Sequence, residues 1–425
     1  MYRCTLGAVA VALLASACSP AGPRAQRGEP TVAAPGARAP IDVGADVDAA
    51  GPQVAVGLKA GAAEVTIASG GPMLLGEPSG SGSDRRATGP CVATAEGGAV
   101  SVRCADGLRL RSRGEAVRLR PGSGGVLRVD DRPYDGDLLV RVGADGLTVV
   151  NTLALETYLL GVVPHEIGAR PVEEIEAVKA QAVAARTYAI AHRGRRRSLG
   201  FDYWANSNDQ VYRGLEGQDP VAARAVRETR GEIVEYEGEA ILAFYHSTCG
   251  GRTAAIDQVW RRGPLPYLRS VSDLREDGTA WCESSNRFRW SQRWNWSELG
   301  EILEETVGWA PGTVLREMRI RGRTRSGRVA ELQIAGDAGT TSVYGDSVRW
   351  ALRPEAGRIL NSSLIFDVET GAGESGERYL EVHGGGWGHG IGMCQVGAMA
   401  RARFGQGYER ILGTYYPGTD IKRIY

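Results

Sequence analysis

A glutamate in the run Val163-Pro164-His165-Glu166-Ile167 stands in an apolar setting directly after a proline and a histidine. Burial raises the proton affinity of a carboxyl group. A carboxyl that stays protonated near neutrality is what general acid catalysis needs. A glutamate at this place could equally complement the positive end of a helix dipole, and residue types alone leave both readings open. A second stretch runs from His383 to Gln395. Five of the seven residues from Gly384 to Gly390 are glycine, and the other two are Trp387 and His389. Glycine lets a backbone take positive φ and approach another group closely. The run therefore either presents those two side chains or forms a tight turn between a strand and a helix, with His389 as a cap.

Two further clusters could carry chemistry. Asn206-Ser207-Asn208-Asp209-Gln210-Val211-Tyr212-Arg213-Gly214 combines amides with an aromatic ring. Amides donate and accept together, which suits hydroxylated ligands such as sugars; a solvated turn is the alternative. Tyr245-His246-Ser247-Thr248-Cys249 is followed at a distance by Cys282. A His and a Cys three apart with a distant Cys could hold zinc, but no fourth ligand is visible in the spacing. His383 and His389 lack a suitably spaced carboxylate. No residue is assigned as a metal ligand, and no cofactor is expected.

The chain has 425 residues, with 50 basic and 50 acidic side chains. That balance gives no electrostatic case for nucleic acid or an anionic surface. At the N-terminus Arg3 precedes an apolar run from Thr5 to Ala17, which is too short to span a bilayer as a helix and reads as an export signal. It ends Leu14-Ala15-Ser16-Ala17-Cys18, similar to a lipobox although Ala15 stands where leucine is usual. Residues 1–18 are read as a signal peptide, with Cys18 the lipidated first residue of the mature protein; ordinary cleavage near Ala17 is the alternative. Residues 19–52, rich in Pro, Ala and Gly, read as a disordered tether. The protein is thus expected in the cell envelope or periplasm, held to a membrane through a lipid anchor only. Export favours cysteine pairing. Cys91 and Cys104 flank a hairpin turning at Gly97-Gly98 and are expected to pair. Cys249 and Cys282 are read as a second disulfide, with zinc as the competing reading, which leaves Cys394 free.

The elements that must position these groups fall into two regions. Residues 53–151 show short alternating strands broken by glycine turns, a β-rich subdomain. From residue 152 the period changes. Leu155 to Val162 reads as a short helix broken at Pro164. Pro171 to His192 is the strongest helix, with carboxylates at its start and one face of Ile175, Val178, Ala182, Ala185 and Ala189. Its small alanines imply close packing. Further helices are expected over Asp219 to Thr229 and Trp294 to Val307, with strands between. The elements do not alternate as βαβ units, so the fold class is α+β.

The motifs Val162 to Ile167, Lys179 to Ala189, Asp209 to Gly214, Tyr245 to Gly251, Gly386 to Gln395 and Ile411 to Thr419 together resemble the stage II sporulation protein D / amidase-enhancer (LytB) family. The similarity extends from Gln53 to Tyr425, with residues 152–425 as the catalytic region. It implies a lytic transglycosylase that acts on peptidoglycan glycan strands stripped of stem peptides, with Glu166 in the family's Pro-x-Glu motif as the catalytic group. A position that is often serine in relatives is Cys394 here, and it is assigned no catalytic role. On this resemblance Gln181, Arg186, Gln210, Tyr212, His389 and Gln395 are the candidates for holding sugar hydroxyls and N-acetyl groups. The competing expectation is a non-catalytic glycan-binding lipoprotein that recruits or enhances a cell-wall amidase.

Overall fold

A computed structural model describes residues 51–79, 83–123, 125–374 and 376–425. The signal segment, Cys18 and the tether up to residue 50 lie outside the described residues. Gly51 and Pro52, read above as the end of the tether, are instead buried, and the Pro52 carbonyl accepts from Leu155 N at 2.9 Å. Among the described residues no helix is long and apolar enough to cross a membrane.

The fold is α+β, strand-rich at its start. Gln53–Ala62, Gly146–Ala154, Asp137–Gly143, Ala116–Pro121, Met73–Gly76 and Arg85–Ala87 form an antiparallel run in one sheet. Glu64–Ser69, Cys91–Glu96 and Ala99–Cys104 lie at the centre of a second. Alternation puts Val65, Ile67, Val100, Val102, Leu138 and Val140 inside, as a pleat with one buried face requires. Cys91 and Cys104 face each other in register and are joined by a disulfide.

The sheet does not stop at residue 151. Gly146–Ala154 runs straight into helix α1, Leu155–Ile167, and Tyr203–Trp204 adds a parallel strand beside Gln53–Ala62. Pro164 lies inside α1 and does not break it; the helix ends at Gly168, with φ of 77°. Proline forfeits one backbone bond and only three residues follow it in the helix, so the cost is confined to the last turn. Glu166 therefore sits at the carbonyl end of a helix, where the dipole disfavours negative charge. This removes the reading in which it complements a helix N-terminus.

Helix α2, Ile175–His192, follows a short 3-10 turn at Val172–Glu174. Ala177, Ala180, Ala182, Ala184, Ala185 and Ala189 are buried along it, so α1, the Pro220–Glu228 helix and the Gln395–Arg403 helix all pack close to its backbone. Asp219 caps the Pro220–Glu228 helix by accepting from Ala222 N at 2.8 Å. The expected helix start at Trp294 is displaced: Trp290–Asn295 is a strand and the helix is Trp296–Val307. That strand, with Ile365–Ala372 and Arg378–Gly384, shares a core with Leu315–Arg323, Val329–Gly336 and Gly339–Tyr344, centred on Trp294, Leu299, Leu332 and Leu380.

Candidate active site

The site is built where three distant segments meet the last turn of α1. Tyr245–His246 pairs in parallel with Met393–Cys394, which places Gln395 at the start of the next helix. The glycine run makes this pairing sterically possible. Gly392 has φ of +70°, and a Cβ there would clash with the Phe244 carbonyl oxygen. Isolated bridges Thr248↔Trp387 and Ala254↔Ile391 join the same two segments further on. The run is therefore both things its composition allowed: a close-packed turn, and a loop that leaves Trp387 exposed.

Glu166 is partly buried, and its Oε1 accepts from Val211 N at 2.7 Å. Burial pushes its carboxyl up to about 7, against the opposing pull of hydrogen bonds from Val211 N and the Tyr245 hydroxyl. Gln395 Nε2 donates to the Glu166 backbone carbonyl at 3.0 Å and to Gln181 Oε1 at 3.1 Å. Gln210 Nε2 donates to the Tyr245 hydroxyl at 3.0 Å and the Ala185 carbonyl at 3.3 Å, while its Oε1 accepts from the Tyr158 hydroxyl at 3.3 Å. The loop carrying Gln210 and Val211 is tied down by the buried Asp209 carboxylate. That group accepts from Arg195 and Arg196 at 3.2 Å each and from Trp204 N at 2.9 Å.

His389, in the glycine-rich loop, is hydrogen bonded to the Tyr245 backbone. Its Nδ1 accepts from Ile391 N at 3.0 Å, and burial lowers its basicity to about 4, so the ring is neutral at physiological pH. The His246 ring lies 5.6 Å from it and is also held neutral by burial. His246 Nδ1 donates to the Ile391 carbonyl at 3.1 Å, while its Nε2 has no hydrogen-bond partner among the described residues.

Glu166, Gln181, Gln210 and Gln395 are thus brought together, with His389 adjacent. Gln210 is fully buried with both amide atoms engaged, so it holds Tyr245 and the loop in place. Two candidates belong elsewhere. Arg186 is fully buried in a two-point ion pair with Glu156, at 2.7 and 2.8 Å, and also donates to the Glu232 and Val226 carbonyls at 3.1 and 3.2 Å; a guanidinium enclosed in this way does not reach a sugar. Tyr212 packs its ring against Tyr134 and Tyr158 and donates its hydroxyl to Asn151 Oδ1 at 2.7 Å, inside the core. Tyr245 was missed as a site residue; its only signal was its place beside His246. The expected Cys249–Cys282 disulfide is not formed either: the two sulfurs are 3.5 Å apart and both cysteines are free.

One carboxyl of raised proton affinity at the end of α1, set among amides and neutral imidazoles, is an arrangement suited to acid–base chemistry rather than to a nucleophile-and-base pair. The model of the stage II sporulation protein family matches residues 143–236, which include α1, α2 and the Asp209 loop, and a domain of unknown function matches residues 278–392. An uncharacterised protein of Brachyspira hyodysenteriae is 33% identical over 289 residues, 68% of this chain and 72% of that one. Stage II sporulation protein D of Bacillus amyloliquefaciens is 30% identical over 297 residues, 64% of this chain and 75% of the relative. The amidase enhancer of Bacillus subtilis is 29% identical over 296 residues, and the match spans only 40% of its length. The chain belongs to the stage II sporulation protein D family.

Proposed function

We propose that this protein is an exported lytic transglycosylase that cleaves the MurNAc–GlcNAc bond of peptide-stripped glycan strands. Glu166 protonates the glycosidic oxygen as the bond from MurNAc C1 breaks. The muramic acid's own C6 hydroxyl attacks C1, and the Glu166 carboxylate takes the hydroxyl proton. The products are a 1,6-anhydroMurNAc end and a free GlcNAc 4-hydroxyl; no water is consumed and the carboxyl returns to its protonated state. An ordinary glycosidase needs two carboxylates, whereas an attacking group already tethered within the substrate has a high effective concentration and needs only one. The observation that carries this reading is the Glu166 carboxyl held protonated up to about pH 7 by burial at the carbonyl end of α1. Gln181, Gln395 and His389 are the polar side chains this reading assigns to orienting sugar hydroxyls and N-acetyl groups.

A second reading draws on the exposed Trp387, which has the Arg287 guanidinium 5.2 Å from its ring centre, and on the name of the amidase enhancer relative. A ring on a surface loop is suited to stacking on a sugar face. In this reading the protein binds glycan and assists a cell-wall amidase without cutting. Incubating denuded glycan with the protein and with Glu166→Gln, followed by mass spectrometry, separates the two. Anhydro ends that vanish in the variant support cleavage. Equal products from both remove Glu166 from the chemistry, and glycan retained but not shortened supports the binder.

A further inference from the structure

Behind the Tyr245–His246 and Met393–Cys394 pairing, four side chains converge that the acid–base site does not use. Cys249, Asp273, Cys282 and Cys394 are each fully buried, and one potential ligand atom from each lies within 4.8 Å of the others. His246, considered together with Cys249 and Cys282 from the sequence, is not among them.

We propose that these residues form a structural zinc site, with three thiolates and the Asp273 carboxylate as a closed tetrahedral set. At a zinc–sulfur distance of ~2.3 Å, tetrahedral sulfurs stand ~3.7 Å apart. Cys249 and Cys282 are separated by 3.5 Å, well beyond a disulfide bond, while Cys91 and Cys104 in the same chain are bonded. A Cys249–Cys282 disulfide would also leave the third thiol and the buried carboxylate without a common purpose.

The surroundings are arranged as a metal's outer shell is. Asp273 Oδ1 accepts from Arg401 Nη2 and from the Tyr415 hydroxyl, both at 2.9 Å, and its Oδ2 faces the Cys249 sulfur at 3.2 Å. Backbone amides point at the sulfurs: Cys249 N and Gly397 N reach Cys394 Sγ at 3.2 and 3.4 Å, and Gly251 N reaches Cys249 Sγ at 3.3 Å. Three thiolates and a carboxylate around a divalent cation carry an excess of two negative charges. Two buried guanidiniums stand ready to offset it, Arg401 on Asp273 and Arg328, which donates to the Cys249 carbonyl at 3.1 Å. Thiolate-rich tetrahedral surroundings without an open position favour zinc in a structural role.

Such a site staples three segments: the turn after Tyr245–His246, the 273–282 loop, and the residue immediately before Gln395. The zinc assignment does not depend on the glycan-cleavage reading, because its test measures metal and thiols.

The full chain, purified without chelator or reductant, is analysed for metal by mass spectrometry and for cysteine state by non-reducing peptide mapping. One zinc per chain, with Cys249, Cys282 and Cys394 all alkylatable after metal removal, is the expected result. Replacement by Co2+ should give thiolate-to-metal charge-transfer absorption and tetrahedral d–d bands. Tyr415→Phe keeps the packing but removes one donor to Asp273, and should weaken zinc retention against a competing chelator by about 10-fold. Cys394→Ser should abolish the cobalt spectrum or shift it toward fewer sulfurs. A metal-free chain with Cys249 linked to Cys282 overturns the proposal. So does a chain with three free thiols that takes up neither Zn2+ nor Co2+.

Discussion

Replacing Glu166 by glutamine should make the protein more stable at alkaline pH while removing its chemistry. An ordinary glutamate ionises near 4.5, whereas burial moves Glu166 to about 7. That separation is worth about 3 kcal/mol. Below pH 4.5 the group is protonated in the folded and unfolded chains alike, and its full contribution to stability is present. Above 4.5 the unfolded chain releases the proton while the folded chain keeps it, so this contribution shrinks as pH rises. The loss is complete once pH has passed about 7. Glutamine has no such penalty, and its carbonyl oxygen can still accept from Val211 N. Urea unfolding of both proteins at constant ionic strength should give equal stabilities near pH 4.5 and a gap widening to about 3 kcal/mol in favour of the variant by about pH 8. Cleavage of denuded glycan should fall by about 10²–10⁴-fold in the same variant. A stability difference that is flat across this range would refute the claim that burial holds the carboxyl protonated.

Tyr245→Phe removes a hydroxyl that lowers the Glu166 proton affinity, so the alkaline limb of the pH–activity profile should move to higher pH. Arg186→Met strands the Glu156 carboxylate and should cost about 3–5 kcal/mol in denaturant unfolding. It should leave the position of the pH profile unchanged, since Arg186 shares no hydrogen-bond partner with Glu166. Gly392→Ala forces a Cβ against the Phe244 carbonyl and should lower stability by about 2–4 kcal/mol, read as a drop in melting temperature.

The long alanine-rich helix and the Cys91 hairpin were legible because their signals are local: a 3.6-residue period, and a glycine turn between alternating strands. Glu166 is legible as a carboxyl in apolar company, yet Pro164 points to an earlier helix end than the structure has, because a proline near a helix end breaks little. The misreadings share a cause. The partner that occupies Arg186 is Glu156, 30 residues earlier. The backbone amide that bonds the Cys394 sulfur belongs to Cys249, at a separation of 145. Gln395 reaches the Glu166 carbonyl across 229. No spacing rule spans such distances; helix packing brings Glu156 to Arg186, and the Tyr245–His246 pairing with Met393–Cys394 brings in Cys394 and Gln395. Tyr245 escaped notice for the same reason, since its role exists only once the Asp209 loop and α1 have come to it.

That long reach has a consequence for when the protein can act. A polypeptide made from its N-terminus presents Glu166 early, but the strand carrying Met393 and Cys394 arrives only after more than half the chain has followed. Until then the carboxyl has no seam behind it, no amide from Gln395 on its backbone, and no dry wall to keep its proton in place. The surroundings of Glu166 are therefore completed last, and a chain stopped midway through its synthesis carries the carboxyl without the segments that hold its proton.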